Sequence, residues 1–357
     1  MTMTSAPASS DELAELRSLA GDICGAATEP VLDLQQRDVA FNPRLWSHLD
    51  EAGLTRLSTP EEQGGSGAGL VELAVVLEQI GYHAAPAPIA ENDLLASWLL
   101  RTAGLSVRTG VMTAAFGELH TRDGRLQGTV NSVPWARHAD TVVIAGPGFV
   151  AAVPSTALTI SPNDDIAAQP CDHVTVDMTV AADTFAAVDT DLAGEFRDRG
   201  ALARALQTCG ALDRAVEMTV RHVSERVQFG RPLAKFQAVQ NLVATSASAL
   251  CLARSASDFA VDMAQAHGFA SEQARFAVAV AKIEASRAAT VVSRNTHQAH
   301  GAIGFTLDHR LRHFTGRALA WRSEFGGIRE WQRRLGESVL ESGYSAWEFV
   351  STYSSSS

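Results

Sequence analysis

The chain has 357 residues, 46% of them apolar and 19% charged, with a formal net charge of -11. That balance is of a globular protein with room for a sizeable core, and it excludes a disordered chain. The acidic balance and the lack of a long basic run argue against phosphate-driven nucleic-acid binding. No stretch is apolar for long enough to span a bilayer, and the first residues lack the basic end and apolar core of a signal peptide. Cys24, Cys171, Cys209 and Cys251 are scattered without a CxxC pair, which suits a reducing compartment; a cytoplasmic protein is expected. His297 and His300 share helical spacing but have no third ligand, so no metal site is expected.

In chain order, residues 1–105 read as an N-terminal helical domain. Leu13, Leu16, Leu19 and Ile23, then Leu70, Leu73, Val76, Leu77 and Ile80, recur at helical spacing. A turn at Pro60 and the run Gly64, Gly65, Gly67, Gly69 divide these helices, and Pro86 and Pro88 end the second. Residues 106–192 change texture. Short β-rich runs such as Thr141–Ile144 and His173–Val176 lie between Gly, Pro, Asn and Asp clusters, which predicts a small antiparallel β domain.

Over 193–350 the helical period returns. Phe236, Val239, Val243, Ala247 and Leu250 trace one helix face, with Pro232 read as standing just before its first turn. Gly268 is expected to close that helix and Ser271 to cap the next, through Phe276, Val280 and Ile283. Long helices with short connections predict a C-terminal four-helix bundle, and 351–357 a frayed tail. The fold class is thus mainly α with a small β domain.

This order and three stretches together resemble the acyl-CoA dehydrogenase family over nearly the whole chain. The first stretch is Leu45-Trp46, Gly53-Leu54 and Pro60-Glu61-Glu62-Gln63-Gly64-Gly65-Ser66-Gly67. The second is Glu225-Arg226-Val227-Gln228-Phe229-Gly230-Arg231-Pro232 with Phe236-Gln237, and the third is Gln298-Ala299-His300-Gly301-Ala302-Ile303-Gly304-Phe305. Taken singly, Arg226 reads as a solvated arginine and Gly301 and Gly304 as a helix end. Taken together, the resemblance implies an FAD site built across a subunit interface. Arg226, Gln228, Phe229, Gln237, Gln298, Gly301 and Gly304 would contact the nucleotide half. Arginine supplies a permanent charged fork for a diphosphate, and glycine lets backbone approach closely.

The family's reaction, α,β-dehydrogenation of an acyl-CoA, needs a carboxylate base within reach of the α-proton. Counted without gaps from Gly304, its usual position is Phe325, before Gly326-Gly327, and Glu324 lies one residue earlier. The minority position, counted back from Arg226, is Gly200. Glu324 is therefore the candidate base. The stretches that embrace the flavin ring in the family are reduced here to Thr113–Glu118 and Val130–Trp135. The resemblance implies an acyl-CoA substrate, electron-transfer flavoprotein as acceptor, and a dimer or tetramer. The partner would be a related dehydrogenase subunit, as in α2β2 enzymes for steroid side-chain and other bulky CoA esters, or a second copy in a homotetramer. Three alternatives stay open: a self-sufficient dehydrogenase using Glu324, a flavin monooxygenase on the same fold, and a non-enzymatic helical scaffold that kept the fold and lost its ligands.

Overall fold

A computed structural model of the chain describes residues 9–32, 40–307 and 309–354. By compactness it divides into two units. Among the described residues, one holds 9–14, 40–73 and 86–200; the other holds 15–32, 74–85, 201–307 and 309–354.

The first unit is built around two four-stranded sheets. Strands β1 (Met112–Phe116), β4 (Thr141–Gly146), β5 (Phe149–Pro154) and β8 (Phe185–Ala187) lie in the order β1-β4-β5-β8. The second sheet runs β2 (His120–Arg122), β3 (Arg125–Pro134), β7 (Cys171–Thr179), β6 (Leu158–Ser161), in the spatial order β2-β3-β7-β6. The predicted antiparallel character holds for every pairing in these sheets but one: β1 pairs β4 in parallel. Parallel neighbours need a crossover connection, and β2 and β3 form it here. Along β3, Leu126 and Val130 face the core while Arg125, Gln127 and Thr129 face solvent. A register shift between Val130 and Val133, with Ser132 at φ 56°, returns Val133 to the interior.

Helix α2 (Pro43–Glu51) starts on Asn42, whose side chain accepts from the Arg44 and Leu45 N–H groups. The Pro60 turn follows. Gly65 is obligatory there, because a Cβ would stand 2.0 Å from the Thr59 carbonyl oxygen. A wide π-helical segment, Ala90–Ser97, leads into α4 (Trp98–Thr102) and is buried throughout. Its polar side chains are structural pins. Asn92 donates to the Thr55 carbonyl at 2.7 Å and accepts from the Met112 N–H at 2.8 Å. Asp93 accepts from the Ser58 N–H at 2.7 Å and the Thr59 hydroxyl at 2.8 Å. The Pro-Glu turn is thereby fixed from inside.

The second unit carries the expected bundle. Helices α5 (Ala193–Glu225), α6 (Gln237–His267) and α7 (Glu272–His300) are joined by shorter α8 (Leu311–Trp321) and α9 (Ile328–Ser342). Gly268 ends α6 and the Ser271 hydroxyl caps α7 on the Ala274 N–H, as the sequence predicts. Alanine lines the buried faces of both, including Ala253, Ala260, Ala274, Ala277 and Ala281, so the two helices approach closely. Helix α1 (Ser10–Leu32) and helix α3 (Leu70–Tyr82) contribute their later turns to this unit. At the α3–α5 crossing a Cβ on Gly81 would meet the Gln207 carbonyl oxygen at 2.0 Å, and one on Gly210 the Glu78 carbonyl oxygen at 2.0 Å. Glycine alone permits that contact. The adjoining core gathers Leu32, Ala211, Ala215, Met218, Leu311, Phe314 and Trp321. The chain end differs from expectation: α10 (Ala346–Ser354) is helical and docks Phe349 on Phe276, while 355–357 lie outside the described residues.

Candidate functional site

The arginine motif begins where α5 ends. It is a small β-hairpin that the helical reading of this stretch missed: Val227–Gln228 (β9) pairs antiparallel with Arg231–Pro232 (β10). Pro232 therefore stands in a ladder, five residues ahead of α6, rather than at that helix's first turn. The turn residues Phe229 and Gly230 both take positive φ, 52° and 78°, the conformation of a two-residue hairpin with primed geometry. That turn projects Phe229 into solvent, 90% exposed. Arg231 lies over the Phe236 ring at 4.2 Å, and Phe229 meets the same ring edge-on at 6.1 Å, so the hairpin is braced against the entry to α6. Arg226 is exposed and forms no ion pair among the described residues; Gln228, on the hairpin, and Gln237, at the start of α6, are exposed too.

The glutamine motif ends α7. Gln298 is exposed on the last turn, and its carbonyl accepts from the Gly301 N–H. Gly301, at φ 68°, does end the helix. Gly304 sits in the following 3₁₀ turn, Gly301–Phe305, where a Cβ would come within 2.9 Å of His300 Cβ. Ile303, Phe305 and Leu307 stand exposed beyond it.

Histidines join the two motifs. His222, on the last turn of α5, stacks on His300 at 4.4 Å between ring centroids and 22° between planes. The Arg226 N–H donates to the His222 carbonyl at 2.9 Å, so the first residue of the hairpin hangs directly from that histidine. His309 meets His300 edge-on at 4.6 Å. His300 Nδ1 lies 2.8 Å from the Thr296 carbonyl, which can only accept; Nδ1 thus carries the proton and buried Nε2 is a bare acceptor without a partner among the described residues. Burial pushes the His300 imidazole down to about 4, and His222, His309 and His297 push the same way. His222 and His309 are lowered too, chiefly by burial. Sequence spacing shows His297 and His300 but not the pairing with His222. One signal was available, since His222 stands four residues before Arg226 on a helix. No group of His, Cys, Asp or Glu among the described residues is arranged to hold a metal.

These features fit the nucleotide half of FAD. An uncommitted guanidinium, a flat exposed ring, an amide at a helix end and a glycine-lined turn stand on adjacent segments of one unit. The same pieces leave a buried acceptor, His300 Nε2, without a partner among the described residues at their junction.

Glu324 lies far from this assembly. It is bound by Arg204, whose Nε donates to its carboxylate at 2.8 Å, and Arg204 stands 21 residues before the end of α5, roughly 30 Å along the helix. Arg204 is 4% exposed and Glu324 25%. The same guanidinium donates to Gln207 at 2.7 Å and faces the Trp321 and Phe325 rings at 5.9 and 5.6 Å. Phe325 takes φ 54°, and its carbonyl accepts from the Trp331 indole N–H at 3.1 Å, which fixes the turn. Below it, Lys282 donates to the Trp321 carbonyl at 2.6 Å, at the C-terminal end of α8 where a cation is favoured. Burial pushes its ammonium down to about 7; Glu324 partly opposes this and Arg204 adds to it. Neither Arg204 nor Lys282 announces itself in the sequence. Arg204 stands one helical turn beyond Gly200, the second candidate position for a base.

Trp135, from the eroded ring-holding stretch, is buried, at φ 59°, against Phe41 and His138. No helix among the described residues is long and apolar enough to cross a membrane.

Comparison with known proteins gives a consistent result. Residues 191–340 match the acyl-CoA dehydrogenase C-terminal domain and residues 10–106 the acyl-CoA dehydrogenase N-terminal domain. Acyl-CoA dehydrogenase IpdE2 of Mycolicibacterium smegmatis is 31% identical over 319 residues, covering 88% of this chain and 94% of that protein. Among solved structures, the ChsE4-ChsE5 complex from Mycobacterium tuberculosis superimposes with a TM-score of 0.81 at 25% identity, over 96% of this chain and 99% of its counterpart. The Tcur3481-Tcur3483 steroid ACAD G363A variant gives 0.81 at 26% identity, over 94% and 99%. With the fold, the arginine hairpin and the glutamine turn in place, the chain belongs to the acyl-CoA dehydrogenase family of oxidoreductases.

Proposed function

We propose that this chain is the pairing subunit of an FAD-dependent acyl-CoA dehydrogenase, completing the flavin site of a related partner that supplies the catalytic base. FAD, when bound, supplies the hydride acceptor for α,β-dehydrogenation of an acyl-CoA thioester, and electron-transfer flavoprotein takes the electrons onward. This chain's part is grip. Arg226 neutralises diphosphate charge, Phe229 walls the nucleotide, Gln228, Gln237 and Gln298 offer amides, and Gly301 and Gly304 keep the turn open to close approach.

The observation that carries this reading is an asymmetry. The clamp residues face solvent on a braced hairpin, whereas the candidate carboxylate is held by a buried guanidinium and Gly200 has no side chain. Two of the most similar structures are named as two-protein assemblies, which agrees with a heteromeric arrangement. The steroid enzyme among them suits a bulky CoA ester as substrate class.

The test is the flavin-to-protein ratio of the chain purified alone and after co-expression with acyl-CoA dehydrogenase paralogues from the same genome. Low flavin alone and full occupancy in the complex are expected, and Arg226→Ala should strip flavin from the complex. Full occupancy and turnover by the chain alone would overturn the reading.

A further inference from the structure

The arginine hairpin and the glutamine turn belong to different helices, 72 residues apart counted from Arg226 to Gln298. A clamp made of two such pieces works only if something fixes their separation. The hairpin itself does not: it is a two-rung ladder with exposed strands, resting on Phe236 and on the Leu233 N–H bond to the Arg226 carbonyl, both at the entry to α6. Nor does the Gly301–Phe305 turn, whose side chains at Ile303 and Phe305 point to solvent. Helices α6 and α7 pack together behind the two motifs, with Asn295 donating to the Leu242 carbonyl, and Phe305 lies on His297; the contact that joins the end of α5, from which the hairpin hangs, to the end of α7 is the pair of rings His222 and His300.

We propose that the His222–His300 stack is the positioning element that holds the Arg226 hairpin against the Gln298 turn, and that it does so only while both rings are uncharged. This rests on the clamp reading above. Four observations support it. The rings are nearly parallel at 4.4 Å, a geometry that two imidazolium ions would oppose. The Arg226 N–H hangs from the His222 carbonyl, so movement of His222 carries the hairpin with it. His300 is 6% exposed, with Nδ1 committed to Thr296 and Nε2 without a partner among the described residues, so a second proton there would meet no acceptor among them. The surroundings are mostly cationic on protonation. From α5 and its end come Arg221, Arg226 and one carboxylate, Glu225; from α7 comes His297; beyond the turn come His309 and Arg310, the last ion-paired with Glu29 of α1.

The sign follows from burial first and from these neighbours second. His300 in the folded chain binds a proton only near pH 4, against 6.5 when unfolded. The stack is therefore intact above about pH 6.5 and loses support as pH falls towards 4.

The experiment compares wild type, His222→Phe, His300→Phe and His222→Ala in the assembled protein, at pH 7.5 and 5.0. Phenylalanine keeps a flat ring and removes the titration; alanine removes the ring. Two readouts are taken: the rate of FAD loss on dilution, and hydrogen exchange at the Val227–Arg231 amides, corrected for intrinsic pH dependence. In wild type both should rise roughly tenfold at pH 5.0. Each phenylalanine variant should flatten that rise to within about twofold, and His222→Ala should show fast exchange at both pH values. Phenylalanine variants that keep the full acid response overturn the proposal, as does an alanine variant indistinguishable from wild type. Hydrogen exchange on the hairpin needs no flavin, so it decides the matter even if Arg226→Ala leaves FAD retention unchanged and the clamp reading itself fails.

Discussion

The guanidinium of Arg204 donates through Nε to a Glu324 carboxylate oxygen at 2.8 Å, tying the middle of α5 to the turn that follows α8. The pair sits where the family's resemblance leads one to seek a base. A base needs an uncommitted lone pair aimed at substrate, whereas this carboxylate is spent on neutralising a cation buried to 4% exposure.

Removing one member of this pair should be costly and removing both much less so. Arg204→Met is expected to destabilise by about 3 kcal/mol, because it leaves the part-buried Glu324 carboxylate without its cation and takes the guanidinium from the Trp321 and Phe325 rings. Glu324→Gln keeps an acceptor for Arg204 and should leave turnover of the assembled enzyme within about twofold of wild type, as measured by steady-state rates. Loss of turnover with FAD retained would instead identify Glu324 as the base of a self-sufficient dehydrogenase.

Lys282 gives a stability profile that rises with pH. Its ammonium is pushed down to about 7 in the fold from 10.5 when free, so between these values the unfolded chain binds the extra proton. Stability should accordingly increase by about 1–2 kcal/mol from pH 7 to 9, read from denaturant midpoints. Buried Cys24 and Cys209 act oppositely, but only above about 9, where their unfolded thiols ionise. Lys282→Met should flatten the profile over pH 7 to 9. An unchanged slope in that variant would assign the rise to other groups.

The α3–α5 crossing predicts sensitivity to a single methyl group. Gly210→Ala would place a Cβ 2.0 Å from the Glu78 carbonyl oxygen, which no side-chain rotation relieves. The cost is expected at about 2–3 kcal/mol, seen as a lowered midpoint in urea. Gly336→Ala on α9, where nothing lies within 4 Å, should stabilise slightly and serves as the control.

At the hairpin, Gly230→Val asks a β-branched residue to hold φ 78°. The strain of about 1–2 kcal/mol is local, so the melting temperature should stay within about two degrees while FAD retention in the complex falls. Equal retention would show that hairpin conformation does not matter to nucleotide binding.

Periodicity made the helices legible, and cap chemistry gave even the α6–α7 junction at Gly268 and Ser271. The hairpin after Arg226 escaped notice because four ladder residues are too few to show alternation; the Phe229-Gly230 pair is its only turn signal. The parallel β1–β4 pairing escaped for another reason: strand patterns report burial, not the direction of a neighbour. The clamp residues came from motif resemblance, which locates them in sequence but says nothing of what joins them. Arg204 and Lys282 carry no sequence signal, since a buried cation differs from an exposed one only through its surroundings. His222 and His300 meet through tertiary packing of two helices, information no local window contains.

The β1–β4 pairing bears on how the chain folds. Met112 must find Thr141, and Phe116 Ala145, across an excursion that includes two other strands. Loop closure of that length precedes any ladder energy, and β8 joins β5 only after another 30 or more residues are made, so the sheet assembles late by non-local search. The α6–α7 pair needs only the short link around Gly268 and can form while the sheet is still open. In stopped-flow refolding, helical signal should therefore lead, and burial of Trp135 in the sheet unit should follow as the slow phase.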